Sequence, residues 1–183
     1  MYYPEIQELK TPHLRLRKVR REDAPAYYAR LGSSEAVTRY MLFMPHQDPR
    51  EAEESVEKVL RRYETGRCYR WAIALPEDDS LIGIVELLRF DEEQSSCSFA
   101  YMIGEEFWGK GYGTETLRVV FGFAFENMGI QAIEADHMSG NPASGRAMQK
   151  AGMTHIRTDR EKYTKCGVVY DAPVYRITKE EWK

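Results

Sequence analysis

Gly109, Gly111 and Gly113 place three glycines within five residues, and this spacing is where chemistry is to be sought. Without a Cβ, such residues let successive main-chain N–H groups converge on one point. The run from Phe99 to Ile103 before them alternates like a strand, and the run from Thr114 to Met128 after them repeats like a helix. A glycine loop at a helix N-terminus offers unpaired N–H donors and the positive end of the helix dipole, both of which favour an anion. The sequence therefore predicts a phosphate-bearing cofactor held by Trp108, Gly109, Lys110, Gly111, Tyr112, Gly113 and Thr114.

Three phosphate motifs compete for this stretch. Gly104 to Gly111 follows G-x-x-x-x-G-K-S/T until its last position, where Gly111 replaces the hydroxyl that would hold magnesium. Glu105 and Glu106 would also repel phosphates there. The dinucleotide fingerprint G-x-G-x-x-G/A fails at Thr114, and the chain left after it is too short for a doubly wound fold. The pattern R/Q-x-x-G-x-G/A fits at Gly111 and Gly113, with Trp108 in its first place.

With that third pattern the chain resembles the GNAT acyltransferase superfamily. Phe107 to Glu115 is similar to its coenzyme-A loop, above all in the subgroup of ribosomal-protein N-terminal acetyltransferases, where Trp in place of Arg or Gln is common. Leu14-Arg15-Leu16-Arg17 with Arg21-Glu22-Asp23-Ala24 resembles the subgroup's opening strand and helix start. Asn141-Pro142-Ala143-Ser144 with Met148 to Met153 resembles its Asn-x-x-Ser…Lys-x-Gly-Phe block, and Asp171 to Trp182 its closing strand. The resemblance spans residues 11–182. It implies one N-acetyltransferase domain over residues 1–183, of α/β class (α+β in some schemes), with a mixed, splayed central sheet flanked by helices.

Periodicity supplies the elements that would position the loop. Leu14 and Leu16 alternate with Arg15 and Arg17 as in a half-buried strand. A short helix runs from Arg21 or Asp23 to about Leu31. Asp48 followed by Pro49 reads as an N-cap with Pro at the first helical position. Behind it Val56, Val59, Leu60 and Tyr63 recur at helical spacing, and Glu57→Arg61 is an i,i+4 pair. Strands are expected at Tyr69–Leu75, Leu81–Phe90, Ser96–Ile103 and Ala132–His137. A helix is expected at Ala143–Ala151, then a hairpin through Lys165-Cys166-Gly167. Tyr40 to Pro45 forms an apolar loop that either lines an acceptor cleft or joins the core.

A net charge of −3 argues against non-specific nucleic-acid binding and mildly favours cationic or amine substrates. The three cysteines, Cys68, Cys97 and Cys166, are odd in number and widely spaced, so neither a disulfide framework nor a metal site is expected, and a cytoplasmic protein is. No apolar run approaches a membrane span.

Acetyl transfer to an amine has definite needs. The nitrogen must be neutral. An alkyl ammonium at pH 7 lies about 3 pK units from that state, roughly 4 kcal/mol, whereas an N-terminal α-amine needs only about 1 kcal/mol. The oxyanion needs a donor, which the resemblance places on the splayed strand at about Met102 or Ile103. The thiolate leaves readily, and positioning should dominate the rate.

Two positions depart from the family pattern. Met148 stands where many members carry a tyrosine general acid, and Ser98 where many of the subgroup carry glutamate. Glu86, Tyr101, His137, Ser139 and Ser144 remain as substitutes with titratable or hydroxyl groups. Ser144 is expected to assist the thiolate, Asn141 to orient the coenzyme or a water, and Glu86 to accept a proton through water. Asn141 and Ser144 also count among the cofactor contacts. The expected reaction moves an acetyl group from acetyl-coenzyme A to a primary amine by direct attack in a ternary complex. The best candidate acceptor is a protein N-terminus, such as that of a ribosomal protein; the alternatives are a polyamine, antibiotic or amino acid. A non-catalytic coenzyme-A-binding sensor or interaction module is the reading from another class. The expected partners include no nucleic acid and no membrane, and the chain is expected to be a monomer or homodimer.

Overall fold

Among the described residues eight strands pair into one sheet, in which the central β-strands Tyr69–Ala74 and Leu81–Asp91 are apolar and buried along most of their length. The structure, a computed structural model, describes residues 1–182. In chain order the strands are β1 (Leu9–Lys10), β2 (Arg15–Lys18), β3 (Tyr69–Ala74), β4 (Leu81–Asp91), β5 (Ser96–Ile103), β6 (Ala132–Asp136), β7 (Thr154–Lys165) and β8 (Val168–Thr178). Their spatial order is β1-β2-β3-β4-β5-β6-β8-β7. Every neighbouring pair is antiparallel except β5 and β6.

Among the described residues five α-helices cover the two faces: α1 (Ala24–Tyr27), α2 (Glu35–Thr38), α3 (Pro49–Glu64), α4 (Tyr112–Asn127) and α5 (Pro142–Lys150). A 3-10 turn at Arg21–Asp23 leads into α1 and a π turn at Tyr28–Gly32 follows it, so the expected short helix is three helical types in series. The brief β1 and α2 carry too few periodic residues to stand out in the sequence. The forecast cap of α3 is present: Asp48 Oδ1 accepts the Arg50 N–H at 2.9 Å, Glu51 completes the capping box, and Pro49 is the first helical residue. Glu57, however, pairs with Arg21 rather than with Arg61, because the loop before α1 brings a better-aligned guanidinium alongside.

One face packs Trp71, Tyr69, Val85, Leu87 and Phe99 against Leu117, Phe121 and Phe125 of α4 and Met148 of α5. The other packs Ala72, Leu81 and Ile84 beneath Leu31, Val56 and Val59. Each large side chain buried this way contributes roughly 1.5–3 kcal/mol. The N-terminal segment straps the α4 side: Tyr69 Oη donates to the Pro4 carbonyl and Trp71 Nε1 to the Gln7 carbonyl, both at 2.7 Å. Arg17 is buried and doubly bonded to Asp23, with each Nη–Oδ distance 2.8 Å, locking β2 to the start of the helical layer. The three cysteines are free. No helix among the described residues is long and apolar enough to cross a membrane.

Candidate active site

The sheet splits at its centre. β5 and β6 pair only through Ser96↔Ala132 and Cys97↔Ile133, yet β5 continues to Ile103 and β6 to Asp136. The Gly104 N–H donates to the Ile82 carbonyl at 2.8 Å, so the even residues of β5 bond toward β4. By strand alternation Phe99, Tyr101 and Ile103 turn their main-chain groups into the opening. Met102, offered by the sequence as an oxyanion donor, is one of the even residues, and its carbonyl is directed at β4, 2.6 Å from where a Gly83 Cβ would stand. Tyr101 and Ile103 supply the donors on the open side. The Ile103 carbonyl is taken by Trp108 Nε1 at 2.7 Å, which leaves its N–H for a ligand and explains the half-exposed Trp108 as a brace for the loop.

The glycine loop closes the wide end of this opening. Gly111 is the N-cap of α4 at φ 86°, and no side chain caps the helix. Gly109 is at φ 76°, so both adopt the left-handed region that glycine reaches without strain. Gly113 is glycine for a different reason: a Cβ there would stand 3.3 Å from the Tyr101 ring. Among the described residues no protein acceptor meets the N–H groups of residues 109–114. Six consecutive donors are thus free at the positive end of a 16-residue helix. Lys110 extends over the Phe107 ring, 5.3 Å from its centroid. Glu106, which could oppose an anion, is drawn aside to Arg30 at 3.2 Å. Beside Gly111 and Thr114 lies an open hollow of about 680 Å³ that Lys10, His13, Arg118 and Lys150 also line.

Ser144 and Asn141 sit at the start of α5, on the far side of the opening. Asn141 Oδ1 accepts the Ser144 N–H at 3.3 Å, so Asn141 is a helix cap. The Tyr101 hydroxyl faces that of Ser144, and burial pushes the Tyr101 phenol up. Met148, buried in the α5 core, takes no part. His137 gives its Nδ1 to the Met138 carbonyl at 2.8 Å and stacks on Tyr175, as a structural histidine does.

Glu86 does not serve as proton acceptor in this arrangement. It is buried, with Oε1 2.6 Å from Arg62 Nη2 and Oε2 2.8 Å from Arg70 Nε. Guanidinium donors occupy both oxygens, and a guanidinium cannot pass a proton on. The Arg70↔Glu86 register, which brings one of those cations alongside, is a cross-strand relation that linear spacing hides.

The other face of the opening is walled by the 39–45 loop and the tip of the β7–β8 hairpin. Lys165 Nζ donates to the carbonyls of Thr38, Met41 and Phe43 at 2.6, 2.7 and 2.8 Å, using all three of its protons. Burial pushes its ammonium down. A cavity of about 190 Å³ lies between the two walls, lined by Met41, Phe43, Met44, Met138 and Lys165. Leu42 and Met44 are 72% and 62% exposed at its rim, so the Tyr40–Pro45 loop is a cleft wall rather than core. Residues 1–9 lie on the opposite, α4 side and leave this cleft open.

The model of the acetyltransferase (GNAT) domain matches residues 13–154. The chain belongs to the GNAT acetyltransferase family. Among its GNAT relatives, the uncharacterized N-acetyltransferase YoaA of Bacillus subtilis (strain 168) is 28% identical over 171 residues, covering 93% of this chain and 96% of YoaA. The fold matches RimL, a ribosomal L7/L12 alpha-N-protein acetyltransferase solved with coenzyme A, at TM-score 0.83 and 15% identity, over 94% of this chain and 98% of that one. It also matches the spermidine N-acetyltransferase of Vibrio cholerae, solved with coenzyme A and spermine, at TM-score 0.80 and 20% identity, over 94% and 99% of the two chains.

Proposed function

We propose that this GNAT protein moves the acetyl group of acetyl-coenzyme A to the N-terminal amine of a protein. The six unpaired amides of residues 109–114 carry the cofactor half of this reading. They would hold the pyrophosphate, and Lys10, Arg118 and Lys150 offer donors and cations to the phosphorylated adenosine in the hollow alongside, where His13 engages the Glu115 carboxylate. The pantetheine arm would thread the gap between β5 and β6, where the main chains of Phe99, Tyr101 and Ile103 lack a strand partner. The N–H of Tyr101 or Ile103 would meet the oxyanion as the amine attacks, a contribution worth about 3 kcal/mol for one well-placed donor. Ser144, backed by Tyr101, would return a proton to the thiolate, and Asn141 would fix Ser144 by capping its helix.

The acceptor half of the reading rests on the walls of the cleft. The 190 Å³ cavity is lined by three methionines, Leu42, Phe43, Thr164 and Cys166, and its one charged lining group, Lys165, is a cation saturated by carbonyls. A polycation finds no carboxylate in it, whereas an uncharged side chain following an N-terminal amine fits, and the exposed Leu42 and Met44 extend that apolar surface outward. Thiol release from acetyl-coenzyme A tests the proposal against peptides with free N-termini, spermidine and amino acids. Peptide-dependent release is the expected result. Release with spermidine alone would reassign the acceptor, and binding of coenzyme A with no release across the panel would favour a non-catalytic module.

A further inference from the structure

In parallel register Cys97 lies level with Ile133, which puts Ala100 level with Asp136. Both side chains point to the acceptor face, since Cys97 and Ile133 share the opposite, α4 face. Asp136 thus stands across the opening at the height where a thioester threaded between the strands would present its carbonyl. Two residues of β7 reach it. Tyr163 Oη donates to Asp136 Oδ1 at 2.6 Å, and Lys162 Nζ to Oδ2 at 2.8 Å. The register of β7 on β8 shifts between Asp159 and Tyr163, with Glu161 at φ 50°, and this bulge re-aims Lys162 and Tyr163 over the sheet. The pairing therefore spans β6 and β7, with Asp136 and Tyr163 half-buried and Lys162 exposed.

Asp136 differs from Glu86 in the chemistry of its neighbour. A phenol hydroxyl both donates and accepts, so it can take a proton on its oxygen while giving up its own. Lys162 holds the second oxygen and is itself held by Asp159 at 3.0 Å. The remaining charged group near Tyr163 is Arg89, from the irregular end of β4.

We propose that Tyr163 and Asp136 form the proton relay that neutralises the incoming amine. This assignment rests on the amine-transfer reading above. The ammonium passes one proton to Tyr163 Oη as the Tyr163 hydroxyl proton moves to Asp136 Oδ1. The neutral nitrogen attacks the thioester carbonyl, the C–N bond forms and the C–S bond breaks. The second nitrogen proton ends on the departing thiolate, and Asp136 returns its proton to solvent. Tyr163 is the group that touches substrate, and Lys162 is a positioning residue.

The test uses two acceptors with the full chain and acetyl-coenzyme A: alaninamide, mostly protonated at pH 7, and hydroxylamine, whose nitrogen is already neutral. Asp136→Asn and Tyr163→Phe are each expected to slow transfer to alaninamide about five- to tenfold, the share of the amine left neutral at pH 7, with transfer to hydroxylamine and coenzyme A affinity unchanged. Equal losses with both acceptors would mean a structural role and overturn the relay. Full activity of Tyr163→Phe with alaninamide would also overturn it. If the wild-type protein binds coenzyme A but acetylates neither probe, amine transfer itself fails and the relay with it. A thermal melt of each variant, expected to match wild type, separates a lost relay from a lost fold.

Discussion

The two sides of the split sheet are built by opposite means. On the side proposed for the cofactor, the anion donors are main-chain N–H groups of six consecutive residues, whose direction follows from three glycines and one helix start. The acceptor side consists of side chains brought together from far apart. Lys165 reaches carbonyls 127, 124 and 122 residues away in sequence. Tyr163 meets Asp136 across 27 residues, and Glu86 is clamped by arginines from α3 and β3. An anion site made of amides tolerates many side chains around it, whereas an acceptor site made of long-range contacts can change with each one. One region therefore identifies the family, and the other must be solved before it says anything about the substrate.

Substitutions can break this contrast, and the largest effect is expected on the cofactor side. Gly111→Val puts a β-branched residue at φ 86°. The strain, about 1–3 kcal/mol, would turn the amides away, and calorimetry should show coenzyme A binding weakened about tenfold or more. Unchanged affinity would mean that the loop does not grip the ligand. On the acceptor side, Lys165→Met strands three carbonyls, at about 1–3 kcal/mol. A melting temperature lower by about 2–4 °C per kcal/mol is expected, with a raised acceptor KM and an unaltered KM for acetyl-coenzyme A. Equal changes in both KM values would erase the division between the sides.

Smaller effects sharpen the comparison. Ser144→Ala should lower kcat several-fold while thioester binding persists, because the main-chain donors of residues 109–114 are untouched; an unchanged kcat removes Ser144 from the mechanism. The least effect concerns α3, which backs the acceptor side. Arg50 beside Asp48 holds that carboxyl down to about 2, below its ordinary 3.8. A depressed carboxyl stabilises the fold above its unfolded pKa and loses that contribution as pH falls through the folded value. The melting-temperature difference between wild type and Asp48→Ala should therefore be constant above about pH 5 and shrink as pH falls from about 4 to 2. A difference that grows in acid would contradict the sign.

The same division decides what could be read from the sequence. β5 and α3 were legible because alternation, an Asp-Pro start and helical spacing are local signals, and Ser96–Ile103 matches the expected strand residue for residue. The helix after the glycines was legible for the same reason. Glu86 was misread because its partners Arg62 and Arg70 lie on other elements, so nothing nearby in sequence showed that its oxygens were taken. Met102 was one residue off: which residues of a strand face a gap depends on how it bonds to its other neighbour, here through Gly104 to Ile82. Asp136 gave no signal, since its significance arises from the level at which β6 parts from β5 and from a bulge in β7.

The direct test of the central claim is a map of amide chemical shifts on adding coenzyme A to uniformly labelled protein. The account requires the largest shifts at the N–H groups of Gly109 through Thr114, with Tyr101 and Ile103 following, and little change at Lys162 and Lys165. Saturable binding that left the 109–114 amides unmoved would contradict it.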